Sequence, residues 1–95
     1  MTDLEQRVLA AVGALAEGQV VSYGWIAAEA GYPGRARAVG AALQALADDD
    51  IPWWRVVRTD GRIVSPNASR QRALLAAEGV VVRADRVVEP PVQRP

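Results

Sequence analysis

Glycine and proline cut the first half of this chain into segments too short for anything but small helices and turns. Thr2-x-x-Glu5 has the pattern of a capping box, and Leu4, Val8, Val12 and Leu15 follow at helical spacing. Residues 3–16 therefore read as an amphipathic helix ended near Gly18. Gln19–Val21 is a short extended link, and Ser22 is an N-cap for a second helix, Tyr23–Ala30, stopped by Gly31. Pro33-Gly34 makes a turn into a third helix, Arg35 to Ala47. Val39, Ala42, Leu43 and Leu46 share one face of it; Arg37, Gly40, Ala41 and Gln44 form much of the other. Two short helices joined by a tight glycine-containing turn make a helix-turn-helix candidate.

The second half is less regular. Asp48–Asp50 follows the third helix and reads as a solvated acidic loop. Its charge would repel phosphate, so it should face away from any DNA the helices bind. In Ile51–Val57, Pro52 excludes itself from a central strand, while Val56-Val57 can begin one. Asp60-Gly61 signals a turn, with Arg62–Val64 returning as the hairpin partner. A fourth helix spans Ala68–Glu78, capped by Asn67 or Ser69 and closed by Gly79, with Leu74 and Leu75 facing the core. Val80–Val82 and Val87–Val88 flank the Arg83–Arg86 loop as a final hairpin, and the proline-rich end from about residue 90 should fray. The expected fold is mainly α: one domain over residues 1–95, a winged-helix-like helix-turn-helix with minor strands and a C-terminal β hairpin.

Composition removes whole classes of chemistry. With no Cys and no His, the chain has no disulfide, thiol nucleophile, Cys/His metal site or imidazole base, and no cofactor is expected. No apolar run reaches membrane-spanning length and no signal pattern opens the chain, so a soluble cytoplasmic protein with no membrane partner is expected. Net charge is zero, but its distribution is uneven: residues 35–72 hold seven Arg and four acids, residues 1–34 one Arg and four acids. Every basic residue is Arg, which suits bidentate phosphate contacts and equally fits a genomic base bias.

Three segments taken together are specific where each alone is not. Val21–Gly31 (VSYGWIAAEAG), Ala36–Leu43 (ARAVGAAL) and Ile51–Ile63 (IPWWRVVRTDGRI) resemble, in order and spacing, the C-terminal domain of O6-alkylguanine-DNA alkyltransferases. That family has Tyr-Gly opening one helix, Arg-Ala-Val-Gly in the next, and Pro-Cys-His-Arg-Val around its nucleophile. Leu74-Leu75…Glu78-Gly79 extends the match. The departure decides what the resemblance implies. Trp53 stands at the nucleophilic cysteine and Trp54 at the activating histidine. An indole cannot accept an alkyl group as a thiolate can. The pattern is therefore closest to the alkyltransferase-like proteins, which carry Pro-Trp here, bind the lesion without repairing it, and hand it to nucleotide excision repair.

The resemblance implies roles for particular residues. Arg37 aligns with the arginine that enters the base stack when the damaged nucleotide rotates out, and Ala36, Ala38, Gly40 and Ala41 would let this helix approach a narrow minor groove. Arg35 opens the same helix. Tyr23 aligns with the tyrosine that crowds the target phosphate. Ser22 and Thr59 match positions near the DNA backbone. Pro52, Trp53 and Val56 are expected at the base pocket with Tyr23, and Arg55 as a brace for it. Trp54 reads as pocket or core without a choice between them, and Trp25, where the family usually has a polar residue, reads as exposed. The loop Val64-Ser65-Pro66-Asn67 is shorter than the family's Gly/Ser-rich loop by about two residues, and would leave the pocket open to bulkier adducts. Some alkyltransferase-like proteins sense the modified purine with an Arg near this loop; Pro66 holds the aligned position and Arg70 is the nearest candidate.

The expected function is non-catalytic recognition of O6-alkylguanine in duplex DNA by nucleotide flipping, as a monomer at the nucleoid, with excision-repair damage-recognition proteins as partners. Three alternatives stay open: a sequence-specific helix-turn-helix regulator, an alkyltransferase with another nucleophile, and a protein-interaction domain that has lost DNA binding.

Overall fold

The capping box at Thr2 forms as read, and it starts α1 (Asp3–Gly13). Thr2 Oγ1 accepts the Glu5 N–H at 3.1 Å, and Glu5 Oε1 accepts the Thr2 N–H at 2.8 Å. The computed structural model describes residues 1–95. Ser22 caps α2 (Tyr23–Glu29), its Oγ accepting the Trp25 N–H at 3.0 Å. Gly31 and Gly34, both at positive φ, carry the chain into α3 (Ala36–Leu46). Val8, Val12, Ile26, Ala27, Val39 and Ala42 are buried where these three helices meet. Trp25, expected in solvent, is half-buried against this cluster.

A thin pair of strands divides this core from a second one. β1 (Val21–Ser22) runs parallel to β2 (Val56–Val57), with Val21 opposite Val56 and Ser22 opposite Val57. Strand side chains alternate between faces. Val21 and Val56 join the helical cluster, whereas Val20 and Val57 join Ile63, Leu75, Val80 and Val87 on the other side. The second core lies under α4 (Ala68–Ala77) and the antiparallel hairpin β3 (Val81–Arg83) and β4 (Arg86–Glu89). Ala84 and Asp85 sit at φ 50° and 59°, the backbone of a two-residue type I′ turn.

Several expectations need correction. Arg62–Val64 does not return against Val56-Val57. The Asp60-Gly61 turn forms, with Gly61 N–H on Arg58 O at 2.8 Å, but residues 61–63 then pair with the final hairpin through Ile63 N–H to Asp85 O and Val87 N–H to Gly61 O. β2 is committed to β1, so the return finds its partner farther along the chain. Gly61 is required there: at φ +86°, a Cβ would come within 2.8 Å of Val87 O. The C-terminal segment is not frayed. Ser22 N–H donates to Gln93 O at 2.9 Å and Gln93 N–H to Val20 O at 3.0 Å, so it lies along β1, with Val92 against the second core. Neither Asn67 nor Ser69 caps α4 by its side chain: Asn67 holds the N-cap position without a bond, and the Ser69 hydroxyl faces Arg72. Leu75 is fully buried and Leu74 half-buried. No helix is long and apolar enough to cross a membrane.

Candidate nucleic-acid interface

The inner face of α3 is spent on the core through Val39 and Ala42. Its outer face, Arg37, Gly40, Ala41 and Gln44, is one wall of an open cavity of about 580 Å³. The facing wall is the Val64–Asn67 loop with Arg70 from the first turn of α4, and Tyr23 and Trp53 complete the lining. Small residues on α3 keep the helix surface low on its outer side, and Gly40 lies beside the Tyr23 ring, where a Cβ would meet Cε1 at an ordinary 3.8 Å. Burial pushes the Tyr23 phenol above its ordinary range, so it remains a neutral donor.

Trp53 begins a short 3₁₀ turn, Trp53–Arg55, between the acidic loop and β2. Its ring meets Trp54 edge-on, with centroids 6.0 Å apart, and its Nε1 donates to Asp49 Oδ1 at 3.3 Å. The same Asp49 pairs with Arg70. That hydrogen bond, then the one from Trp53, holds the Asp49 carboxyl below its ordinary range. The acidic loop therefore does not face away from the site. Asp48 and Asp49 both line the cavity, where a guanidinium and an indole N–H at its edge give Asp49 two partners.

Behind this surface stands a brace. Arg55 Nη2 donates to Glu78 Oε2 at 2.6 Å, its Nε to Glu78 Oε1 at 2.9 Å, and its Nη1 to Leu15 O at 2.8 Å. Glu78 also accepts the Gly18 N–H and the Trp54 Nε1–H, each at 2.8 Å. Burial pushes this carboxyl up, but Arg55, then Gly18 and Trp54, outweigh it and hold it below its ordinary range. Gln71, 1% exposed, donates its amide to Trp54 O and Val56 O, both at 3.0 Å. The end of α1, the 3₁₀ turn and α4 are thus locked together, so the segment carrying Trp53 is held from three sides.

The structure brings Tyr23, Ala36, Arg37, Gly40, Trp53 and Arg70 together at the cavity. It does not bring the rest. Val56 is 1% exposed within the helical core, turned there by strand alternation. Pro52 is half-buried at the start of the 3₁₀ turn and outside the lining. Ser22 is fully buried, its hydroxyl used by the α2 cap, so it cannot reach a DNA backbone. Arg35 and Thr59 are exposed, at the N-cap of α3 and in the turn after β2, and neither lines the cavity. Arg55 braces as expected. Trp54, left undecided, belongs to the brace through Glu78. Sequence reasoning missed Asp49, Gln71 and Glu78. Two signals were present: an acid at the C-terminal end of α4, unfavourable to the helix dipole, and a glutamine four residues before buried Leu75, on the same face.

The chain belongs to the family of 6-O-methylguanine DNA methyltransferase DNA-binding domains, whose model matches residues 3–80. Among relatives, it is 46% identical over 80 residues to the DNA base-flipping protein of Escherichia coli (strain K12), 81% of this chain and 62% of that one. The chain thus spans about three-fifths of that relative's length. It is 36% identical over 87 residues to alkyltransferase-like protein 1 of Schizosaccharomyces pombe, covering 86% of this chain and 81% of that one. A crystal structure of S. pombe Atl1, in complex with damaged DNA containing O6-carboxymethylguanine, superposes with a TM-score of 0.80 at 34% identity, over 87% of this chain and 82% of that one.

Proposed function

We propose that this chain recognises O6-alkylguanine in duplex DNA without repairing it. The observation that carries the reading is the cavity between the outer face of α3 and Trp53, in a chain without a single cysteine. Its volume, about 580 Å³, falls among pockets that enclose small organic ligands, roughly 300–1,000 Å³, so a modified purine fits. The names of the relatives, a base-flipping protein and a protein seen with damaged DNA, support the same reading.

In this mechanism α3 enters the minor groove, where its small residues let the backbone approach. Arg37, at the cavity rim and exposed, fills the stacking vacancy and hydrogen-bonds the orphaned base. The extruded guanine lies against Trp53, whose ring offers apolar contact to the alkyl group. Tyr23 stands beside the target's phosphate. Without a thiolate no alkyl transfer follows, and the bound complex, formed by a monomer on nucleoid DNA, marks the damage for excision-repair proteins. Minor-groove readout is degenerate, so lesion preference comes without strong sequence preference.

Titration of intrinsic tryptophan fluorescence with O6-methylguanine duplex, unmodified duplex and an undamaged palindrome tests this. Tighter binding and larger quenching with the lesion are expected, because Trp53 lines the receiving cavity. Equal affinity for all three duplexes would overturn the reading.

A further inference from the structure

Arg86 is the cross-strand partner of two arginines at once. In the hairpin it stands opposite Arg83, and on its other side it forms an antiparallel bridge with Arg62. The bonds flanking that bridge, Ile63 N–H to Asp85 O at 2.8 Å and Val87 N–H to Gly61 O at 2.9 Å, mark 62 and 86 as a non-hydrogen-bonded pair. In such pairs the side chains lie closer together. Cross-strand partners share a face of the sheet. Arg62, Arg86 and Arg83 therefore leave one face in a row across three adjacent segments, about 4.8 Å apart at the backbone.

All three are exposed, and none forms an ion pair. Of the acids nearby, Glu89 lies opposite Val81 at the far end of the hairpin and makes no ion pair, and the two nearest the row are committed. Asp85, in the turn between Arg83 and Arg86, pairs with Arg72 of α4 at 2.6 Å. Asp60 accepts the Arg62 backbone N–H and faces Arg58 at 3.7 Å, with Arg86 and Arg62 also acting on it. One carboxylate thus stands among three guanidinium groups. Like charges directly opposite one another destabilise a sheet, so the counter-ion this row lacks is an anion from outside the chain. The row also adjoins the cavity: Arg58 lines it, and Arg58 N–H donates to Arg62 O at 3.0 Å.

We propose that Arg62, Arg86 and Arg83 form a second contact to the sugar–phosphate backbone of the duplex, beside the lesion cavity. This rests on the DNA-binding reading above. Planar guanidinium groups suit bidentate phosphate contacts, and such contacts position the protein without reading bases.

The test is the salt dependence of binding to a duplex long enough to extend on both sides of one O6-methylguanine. Arg62→Gln, Arg83→Gln and Arg86→Gln are measured singly and together, with Arg7→Gln on α1 as the equal-charge control. Each replacement in the row should lower the slope of log K against log salt by about 0.9, and the triple variant by about 2.7. The losses should match on damaged and undamaged duplex, and the control should leave the slope unchanged. Free of DNA, the triple variant should melt no lower than wild type, since repulsion is relieved. A steep wild-type slope that the triple variant reproduces would overturn the proposal and leave lesion reading intact. Equal loss with Arg7→Gln, or a lower melting temperature in the triple variant, would also overturn it. A wild type that binds neither duplex would remove the DNA reading itself.

Discussion

The indole N–H of Trp54 donates to Glu78 Oε2 at 2.8 Å. The residue beside Trp53 is thereby tied to the end of α4, and its one polar group is used inside the fold. Arg55 and the Gly18 amide meet the same carboxylate, which makes Glu78 the point where the supports of the cavity converge.

Glu78→Ala should therefore cost about 1.5–3 kcal/mol, the scale for losing hydrogen bonds to a charged group, read from urea unfolding. The side chains of Arg55 and Glu78 are 12% and 8% exposed, so the pair is partly shielded from solvent. The pH dependence has a definite sign. Glu78 is held below its ordinary range in the folded chain, so its contribution is complete above the unfolded value of about 4.3 and is lost as pH falls through the folded value. The stability difference between wild type and Glu78→Gln should shrink as pH drops below about 4. A difference that stays constant from neutral pH to pH 2 would contradict this role.

Arg37→Ala should weaken binding to an O6-methylguanine duplex by about 1–3 kcal/mol, the range for a base-level contact. Stability should not change measurably, because Arg37 is exposed and makes no ion pair. Fluorescence titration and thermal melting of the same samples separate the two effects. Unchanged affinity would remove Arg37 from the base stack.

Trp53→Cys should not create a repair enzyme. The new thiol would sit beside Trp54, which is no base and whose N–H already serves Glu78, so the neighbouring residue cannot take its proton. An unassisted thiol is only a few per cent ionised at neutral pH. Transfer of labelled methyl groups from damaged duplex to the protein should stay at the level of an ordinary exposed cysteine. Stoichiometric transfer within minutes would show that another side chain serves as base.

Asp49→Asn should change which adducts are preferred. Asp49 occupies Arg70 at the cavity edge. Without that carboxylate, Arg70 is free to meet a negatively charged adduct, and only Asp48 remains as an acid in the lining. Affinity for O6-carboxymethylguanine relative to O6-methylguanine should rise roughly tenfold, the scale of a modest charge-assisted hydrogen bond. Asp50→Asn, outside the lining, should leave the ratio where it is. The same shift in both variants would mean that net charge, not Arg70, is responsible.

How far this molecule can be read from its sequence depends on the range of each interaction. α1 to α3 were legible because their signals are local: the Thr2–Glu5 box, the Ser22 cap, and Gly31 and Gly34 at the breaks. The face of α3 that walls the cavity followed from its periodicity alone. Val56 was misplaced because a two-residue strand shows no alternation to read, and its direction is set by pairing with Val21 across 35 residues of chain. Ser22 was read for two roles, and burial leaves only the cap. The return at Arg62 and the docking of Gln93 rest on partners that no local pattern names. Asp49 was misjudged for a related reason: charge repulsion was weighed against DNA, while its neutralising partner Arg70 lies in another element.

The cavity straddles the seam between the two hydrophobic clusters. Its α3 wall belongs to one, and its loop and α4 wall belong to the other; the short β1–β2 pairing and the Arg55–Glu78 and Gln71 hydrogen bonds join them. Widening the gap means straining the Arg55–Glu78 and Gln71 hydrogen bonds that cross this seam. On the proposed reading, the stiffness of that joint, through Gln71 and Glu78, would limit adduct size as much as the shape of the lining residues does.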